Sequence, residues 1–341
     1  MRRSLITVII AACCTCACEP DYMLPDVGGE GEYREVLLEI VSGDDPRDAT
    51  RSSIVSDLRN LNTVDIFVYD SGVLRRSLCT SRNPAGGTSA SVTMKLIIGN
   101  IYDIVVVANN VNHEPPASLN AVLYDMMYEP DGMSSMLENG VPMAGRATVT
   151  VSKSTSCINV ELTRLAAMVI LMVDDSDLTE GNIEFTSAKV RQMNAVCPFF
   201  SDGVANAGDG VVNGDIATDN DLYMLNHGWA PVFFILENRQ GTLLPGNTDP
   251  DKKTPSELVK KGKDPELCTY IEICGIYTKR NGSIPPVPFT ARFFLGSDAC
   301  TNFDVNRNWI YEITLYFTDG VCLRKDWKMN CTYNSNLARR L

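Results

Sequence analysis

Short segments of alternating apolar and polar residues recur along most of this 341-residue chain, and they constrain its fold more than any other feature. Successive side chains of a β-strand point to opposite faces, so a period of two residues is typical of a strand with one buried face. Glycine, asparagine, aspartate and serine separate the segments at regular intervals. Many short strands at such spacing predict an all-β fold of antiparallel β-sandwiches with a few short helices.

The predicted strands form two groups, and only two helices are expected between them. The strands are 34–41, 64–70, 91–98, 102–108, 147–151 and 158–162, then 166–173, 185–193, 232–236, 269–277, 290–295 and 311–317. One helix is expected at 119–128, with Ser118 as its cap, and another at 255–261, where Thr254 and Glu257 form a capping box. Residues 202–221 are rich in glycine, asparagine and aspartate and predict a long loop.

The N-terminus has the order of a secretory signal, because Arg2 and Arg3 precede the apolar run 5–12. An apolar run that ends in small residues and cysteine resembles a bacterial lipoprotein signal, in which the cysteine is lipidated, for example with palmitate. Cys18 is the preferred lipidated residue and Cys13 the alternative; a plain secretory signal remains a third possibility. No later segment reaches 18 apolar residues.

The chain length suits two domains of about 100–200 residues each. The two groups of strands meet near residues 163–165. The predicted organisation is therefore a signal peptide at 1–17, a flexible leader at 18–33, an N-terminal β-sandwich at 34–164 and a C-terminal β-sandwich at 165–341.

Composition argues against several classes of function. Acidic residues outnumber basic ones 42 to 30, and a net charge of −12 disfavours a nucleic-acid partner. The chain has two histidines and lacks a phosphate loop, a nucleophile elbow and a His-Glu-x-x-His motif, so we expect no enzyme, no metal site and no cofactor. The cysteines that follow the signal could form disulfides or remain free buried thiols, and the sequence does not decide between these alternatives.

A series of motifs resembles, in the same order, the fimbrillins of Bacteroidales pili. In the first half these are the strands 66–70 and 102–109, the turn Val-Pro-Met-Ala-Gly at 141–145 and the junction Leu-Thr-Arg-Leu-Ala-Ala at 162–167. In the second half they are Phe-Phe-Ile-Leu-Glu-Asn at 233–238, Tyr-Ile-Glu-Ile-Cys-Gly at 270–275 and Asp-Val-Asn-Arg-Asn-Trp-Ile-Tyr at 304–311.

The resemblance implies a structural subunit of a cell-surface fimbria with two transthyretin-like β-sandwich domains. Such a subunit is exported as a lipoprotein to the outer membrane, where an arginine-specific, trypsin-like protease cuts the loop after the first strand. Loss of that strand opens an apolar groove, which a strand of a neighbouring fimbrial subunit fills by β-augmentation. The assembled fimbria then supports adhesion or biofilm formation.

Carried over to this sequence, the first strand is 34–41 and the cut follows Arg51, with Arg47 as the alternative and an uncut loop still open. The predicted donor strand is 321–341, although charged residues interrupt its alternation. An anchor subunit would keep its first strand, and a tip subunit could bind a host ligand. A surface glycan-binding lipoprotein is the alternative from another class, with tryptophans available at Trp229, Trp309 and Trp327.

Overall fold

A computed structural model describes residues 31–43, 60–80, 87–110, 116–129, 135–200, 211–215, 219–318 and 324–333. In the first half the strands are β1 Tyr33–Ser42, β2 Val64–Asp70, β3 Val73–Thr80, β4 Ser89–Ile97, β5 Ile101–Ala108, β6 Met127–Tyr128, β7 Met143–Thr150 and β8 Cys157–Arg164. In the second half they are β9 Ala166–Asp174, β10 Gly181–Asn194, β11 Cys197–Pro198, β12 Val211–Asp215, β13 Val232–Leu236, β14 Asn238–Thr242, β15 Tyr270–Lys279, β16 Val287–Phe294, β17 Asn302–Val305, β18 Trp309–Thr318 and β19 Arg324–Tyr333.

Helices are short and few among these residues. The α-helices are α1 Ser135–Glu138, α2 Asp219–Asn226 and α3 Pro255–Lys260, and further turns are the π-helical Ala121–Asp125 and the 3₁₀-helical Pro250–Lys252 and Pro265–Leu267. None of the helices in the described ranges is long and apolar enough to cross a bilayer. The all-β prediction is confirmed.

The strands of the first half form one folded sheet in the order β3-β2-β5-β7-β8-β1-β4. β7 and β8 pair only at Met143 with Arg164 and at Ala144 with Thr163, so the sheet divides there into two layers. Gly145 follows at the point where the backbones cross, and a Cβ there would collide with the carbonyl oxygen of Glu161. The glycine of the predicted turn is therefore required by a close approach of two strands.

Apolar side chains of both layers fill the space between them. The buried residues come from β1, β4 and β8 on one side and from β2 and β5 on the other: Val36, Leu38, Ile40, Met94, Leu96, Val160, Leu162, Ile66, Val68, Ile104 and Val106. β2 and β5 are buried on their other face as well, where Phe67 and Val105 belong to the core of the second half. The two halves of the chain are therefore joined by apolar packing.

The second half has two four-stranded sheets, in the orders β12-β10-β15-β16 and β13-β9-β18-β19. Their facing side chains include Phe185 and Ile273 from the first sheet and Leu171 and Ile313 from the second. β14 pairs with β17 in a separate ribbon, and β6 pairs with β11. A small satellite core lies beside α3 and includes Leu258 and Phe303.

Every predicted strand coincides with an observed one to within a few residues. The predicted helix at 255–261 is also confirmed, since Thr254 Oγ1 accepts a hydrogen bond from the Glu257 N–H. The helix predicted at 119–128 is confirmed in part: residues 119–125 are helical and Ser118 accepts from the Ala121 N–H, but the helix ends with the π-helical turn at Asp125 and the chain extends into β6. The long loop predicted at 202–221 is interrupted by β12 and ends where α2 begins.

Candidate assembly site at the first strand

The first strand lies inside a sheet, with a neighbour on each side. β1 pairs antiparallel with β4, from Tyr33 opposite Ile97 to Val41 opposite Ser89. On its other side it pairs parallel with β8, which ends at Ser42 opposite Leu162. Removing β1 would therefore expose unpaired backbone groups of two strands at once, and such edges readily accept another strand.

The inward face of β1 is apolar and completely buried. Val36, Leu38 and Ile40 have no exposed surface, whereas Leu37 on the opposite face is 37% exposed. Burying an aliphatic side chain of this size contributes about 1.5–3 kcal/mol. If β1 were lost, the place of these three side chains would become a groove lined by apolar residues. Exposing such a groove to water is strongly unfavourable.

Hydrogen bonds outside the regular ladders hold both ends of β1. The Arg34 Nε donates to the Thr155 carbonyl oxygen over 2.9 Å at the start of the strand. The Gly43 N–H donates to the Leu162 carbonyl oxygen over 3.1 Å just after its end. These two hydrogen bonds fix β1 near its beginning and near its end.

That loop carries the predicted cleavage sites. Arg47 and Arg51 lie outside the described residues, as do the predicted lipidation sites Cys13 and Cys18.

A buried asparagine anchors the segment that leads into β2. Asn109 Oδ1 accepts a hydrogen bond from the Asn62 N–H over 2.7 Å, and its Nδ2 donates to the carbonyl oxygens of Asn60 and Val141, both over 2.9 Å. Its backbone is left-handed, with φ at 59°, a conformation that asparagine tolerates better than most residues. Sequence reasoning did not assign a role to Asn109, and an asparagine directly after a strand was the available signal.

The predicted donor segment at 321–341 is partly described. β19 pairs antiparallel with β18, from Trp309 opposite Tyr333 to Thr318 opposite Arg324, and so forms the outer strand of a sheet in its own chain. Trp327 lies in β19. Whether this strand serves a neighbouring subunit stays a prediction.

Two of the motifs quoted from the second half meet in space at a buried ion pair. Arg307 donates from Nε and Nη2 to Glu237 Oε2, over 3.2 and 2.8 Å, and from Nη1 to the Phe199 carbonyl oxygen over 3.2 Å. The side chains of Glu237 and Arg307 are only 2% and 11% exposed. Asn308 follows with a φ of 58°, and its N–H donates to the Ala166 carbonyl oxygen over 3.0 Å. Arg307 and Asn308 thus link the ends of β13 and β11 to the start of β9.

Cysteines whose side chains are described carry free thiols: Cys157, Cys197, Cys268, Cys274 and Cys300. Arg307 Nη2 lies 3.4 Å from the Cys197 Sγ. Burial raises the pKa of Cys197 to about 11, although the Arg307 cation opposes that shift. Burial also raises the pKa of Cys268 to about 12, against the opposing charge of Lys253. Both thiols are therefore protonated and unreactive at neutral pH.

Solved structures share this arrangement of strands. A protein of Parabacteroides distasonis described as a proposed cell adhesion protein superposes with a TM-score of 0.60 at 12% identity, over 88% of this chain and 97% of its own. The tip fimbrial protein Mfa3 of Porphyromonas gingivalis gives 0.55 at 12% identity, over 87% and 99%. A fimbrilin (FimA) of Porphyromonas gingivalis gives 0.52 at 13% identity, over 88% and 98%. This chain has their fold.

Sequence comparison adds one partial match. A family model described as a domain of unknown function (DUF4906) matches residues 233–315, which run from β13 into β18 and include Glu237 and Arg307. No curated protein sequence matches the chain.

Proposed function

We propose that the chain is a non-enzymatic structural subunit of a cell-surface fimbria, assembled by exchange of its first strand for a strand of a neighbouring subunit. The observation that carries the proposal is the position of β1 between β4 and β8, with Val36, Leu38 and Ile40 fully buried. The shared fold with proteins named as fimbrial subunits supports it. In this proposal the two β-sandwiches at 34–164 and 165–341 act as the domains of the subunit.

Cleavage in the loop after β1 releases the strand. A trypsin-like protease cuts after Arg51, or alternatively after Arg47, and β1 then leaves the rest of the chain. The hydrogen bonds of Asn109 retain the chain from Asn60 onward, so the groove keeps its shape when β1 departs. The vacated edges of β4 and β8 then accept a strand of the next subunit.

The test is to incubate the purified chain with an arginine-specific protease, sequence the new N-terminus and image the product by electron microscopy. We expect Ser52 as the first residue after a cut at Arg51, or Asp48 after a cut at Arg47, followed by polymers. Arg51→Gln and Arg47→Gln identify the site, because each removes only one of these products. A product that is cut and stays monomeric would contradict strand exchange.

A peptide of β1 provides a second, independent test. Added in excess to the cut chain, a peptide of residues 33–42 should refill the groove and block polymerisation. A matched peptide with Leu38→Asp should not block it, because a carboxylate cannot be buried there without a partner. An intact loop under all these conditions would favour an anchor or tip subunit that keeps β1.

Membrane anchoring is part of the proposal, with the precursor held at the outer membrane through lipid on Cys18. Metabolic labelling with a palmitate analogue tests it. Cys18→Ser should abolish the label, whereas loss of label only in Cys13→Ser would move the lipid to the alternative site. If the parent chain takes up no label, a plain secretory signal is the remaining interpretation of the N-terminus.

A further inference from the structure

A central cleft of about 510 Å³ opens between the two halves of the chain. Its lining includes Gly145 and Glu161 from β7 and β8, Arg239 and Trp309 from β14 and β18, and Leu165. Its volume falls in the range of about 300–1,000 Å³ that is usual for small-molecule sites, which often lie between domains. The strand-exchange mechanism makes no use of this cleft.

Some of the charged side chains that line the central cleft are in ion pairs, and others are available to a ligand. Arg307 is neutralised by Glu237 over 2.8 Å, and Arg146 pairs with Asp103 over 2.6 Å. Arg239 is exposed, and within the described part of the chain its guanidinium makes no hydrogen bond or ion pair.

Glu161, in β8, is likewise exposed, and its carboxylate has no partner among the described residues. Among the described charged side chains, the central cleft therefore offers a ligand the Arg239 cation and the Glu161 carboxylate.

An aromatic ring lines the same cleft as the available cation. Trp309 lines the cleft and is half-buried, and its ring stacks on Tyr311 with centroids 6.2 Å apart and planes inclined by 29°. Tyr311 is itself fully buried, and its hydroxyl accepts from the Asn306 N–H over 2.8 Å. The indole is therefore held in a fixed orientation, as an aromatic surface for stacking a ring-shaped ligand must be.

We propose that the central cleft binds a carboxylated sugar, whose carboxylate pairs with Arg239 while its ring stacks on Trp309. Arginine binds carboxylates through paired, charge-assisted hydrogen bonds. The free carboxylate of Glu161 selects a ligand that also brings donors, and the hydroxyl groups of a sugar provide several. An acidic peptide also supplies a carboxylate and N–H donors, but an acidic side chain has no ring to stack on Trp309, so the sugar fits the cleft better.

Binding is tested on the whole purified chain with an array of oligosaccharides in matched neutral and acidic forms. Two acidic arms separate the sources of the carboxylate, one terminating in sialic acid and one in glucuronic acid. We expect binding in at least one acidic arm and none to the neutral counterpart. Equal binding of neutral and acidic forms, or binding only of an acidic peptide control, would overturn the proposal.

Substitutions then locate the site by calorimetry with the best acidic glycan. Arg239→Gln should weaken binding about tenfold or more, as expected for loss of a charge-assisted hydrogen bond. Arg75→Gln is the matched control, because Arg75 is also exposed and lies on β3 away from the cleft. Unchanged affinity of Arg239→Gln would exclude the central cleft as the site.

The ligand-induced change in tryptophan fluorescence tests whether the ligand contacts Trp309, which a merely structural role of this residue would not produce. The ligand should change the emission of the parent chain, and Trp309→Phe should lose that change while still binding in the calorimeter, since a ring remains. The proposal is independent of strand exchange: Arg239→Gln should be cut and polymerise like the parent. Failure of the parent to polymerise would count against the proposed function only.

Discussion

Arg307 directs two of its N–H groups to a single carboxylate oxygen of Glu237, although the two residues lie 70 positions apart in the chain. Both side chains are almost inaccessible to water. A buried pair of this kind contributes little net stability compared with apolar replacements, but removing one partner leaves a buried charge without compensation. Arg307 also fixes the Phe199 carbonyl oxygen, so the pair determines how β11 lies against the end of β13.

Arg307→Leu should therefore lower the free energy of unfolding by about 3–5 kcal/mol. Arg292→Leu is a matched control, because Arg292 also pairs with a glutamate, Glu272, but its side chain is 44% exposed; there the loss should stay below about 1 kcal/mol. Urea denaturation measures both. Adding Glu237→Leu to Arg307→Leu should recover part of the loss, and equal effects of the two single arginine substitutions would contradict this account.

The two faces of β1 make a second comparison within one strand. Leu38→Ala should cost about 2–5 kcal/mol, because Leu38 is completely buried in the core between the layers. Leu37→Ala, on the exposed face, should change stability by about 0.5 kcal/mol or less. Urea denaturation of the uncut chain measures the difference. Similar losses for the two leucines would mean that β1 is not seated as described.

Asn109 combines a conformational role with a hydrogen-bonding role, and two substitutions separate them. Asn109→Gly keeps the left-handed backbone accessible but loses the side-chain hydrogen bonds, at a cost of about 1–3 kcal/mol. Asn109→Ala loses both and should be less stable by about another 1 kcal/mol. Thermal denaturation ranks the variants. If alanine and glycine destabilise equally, the backbone conformation contributes nothing measurable.

Stability should fall in alkaline solution because of the buried thiols. The folded-state pKa of Cys197 is about 11 and that of Cys268 about 12, both raised from an ordinary value of 9.0 by burial. Above pH 9 the unfolded chain loses these protons while the folded chain keeps them, so the stabilisation present below pH 9 is lost as the pH rises toward 11. Urea denaturation at pH 7.5 and pH 10.5 shows the decrease, and Cys197→Ala should make it smaller.

Alkylation should distinguish the cysteines at neutral pH. Cys157 is exposed and should react with iodoacetamide in the native chain, whereas Cys197 and Cys268 should react only after unfolding. Mass spectrometry of peptides from native and urea-treated samples measures the labels. Cys157→Ser should remove the native signal at that peptide; rapid native labelling of Cys197 would show that its surroundings open.

Elements with a clear apolar alternation could be predicted from the sequence, and β1 and β15 are examples. β14 could not, because Asn-Arg-Gln-Gly-Thr has no apolar face and is extended only through its pairing with β17. The helix expected at 119–128 ends at Asp125 because its apolar residues serve two different contacts, Val122 in a π-helical turn and Tyr128 in a strand paired with β11. Local pattern does not reveal such a change of environment.

The candidate site could likewise be predicted only in part. Resemblance and alternation together predicted the first strand, but not its two neighbours, since the partners of a strand are set by the path of the whole chain. The meeting of Glu237 with Arg307, and the central cleft beside them, depends on packing between sheets that local sequence does not encode. The available signal was an arginine and a glutamate next to apolar segments. It identified the two residues but did not show that they meet.

The parallel pairing of β1 with β8, beside its antiparallel pairing with β4, gives the slot between them a direction. A strand that restores both sets of hydrogen bonds must run from the Thr155 end toward the Leu162 end, as β1 does. Each added subunit would then be oriented in the same sense as the one before it. If strand exchange builds the fibre as proposed, the fibre would be polar, with chemically distinct head and tail ends, and would elongate without internal reversals.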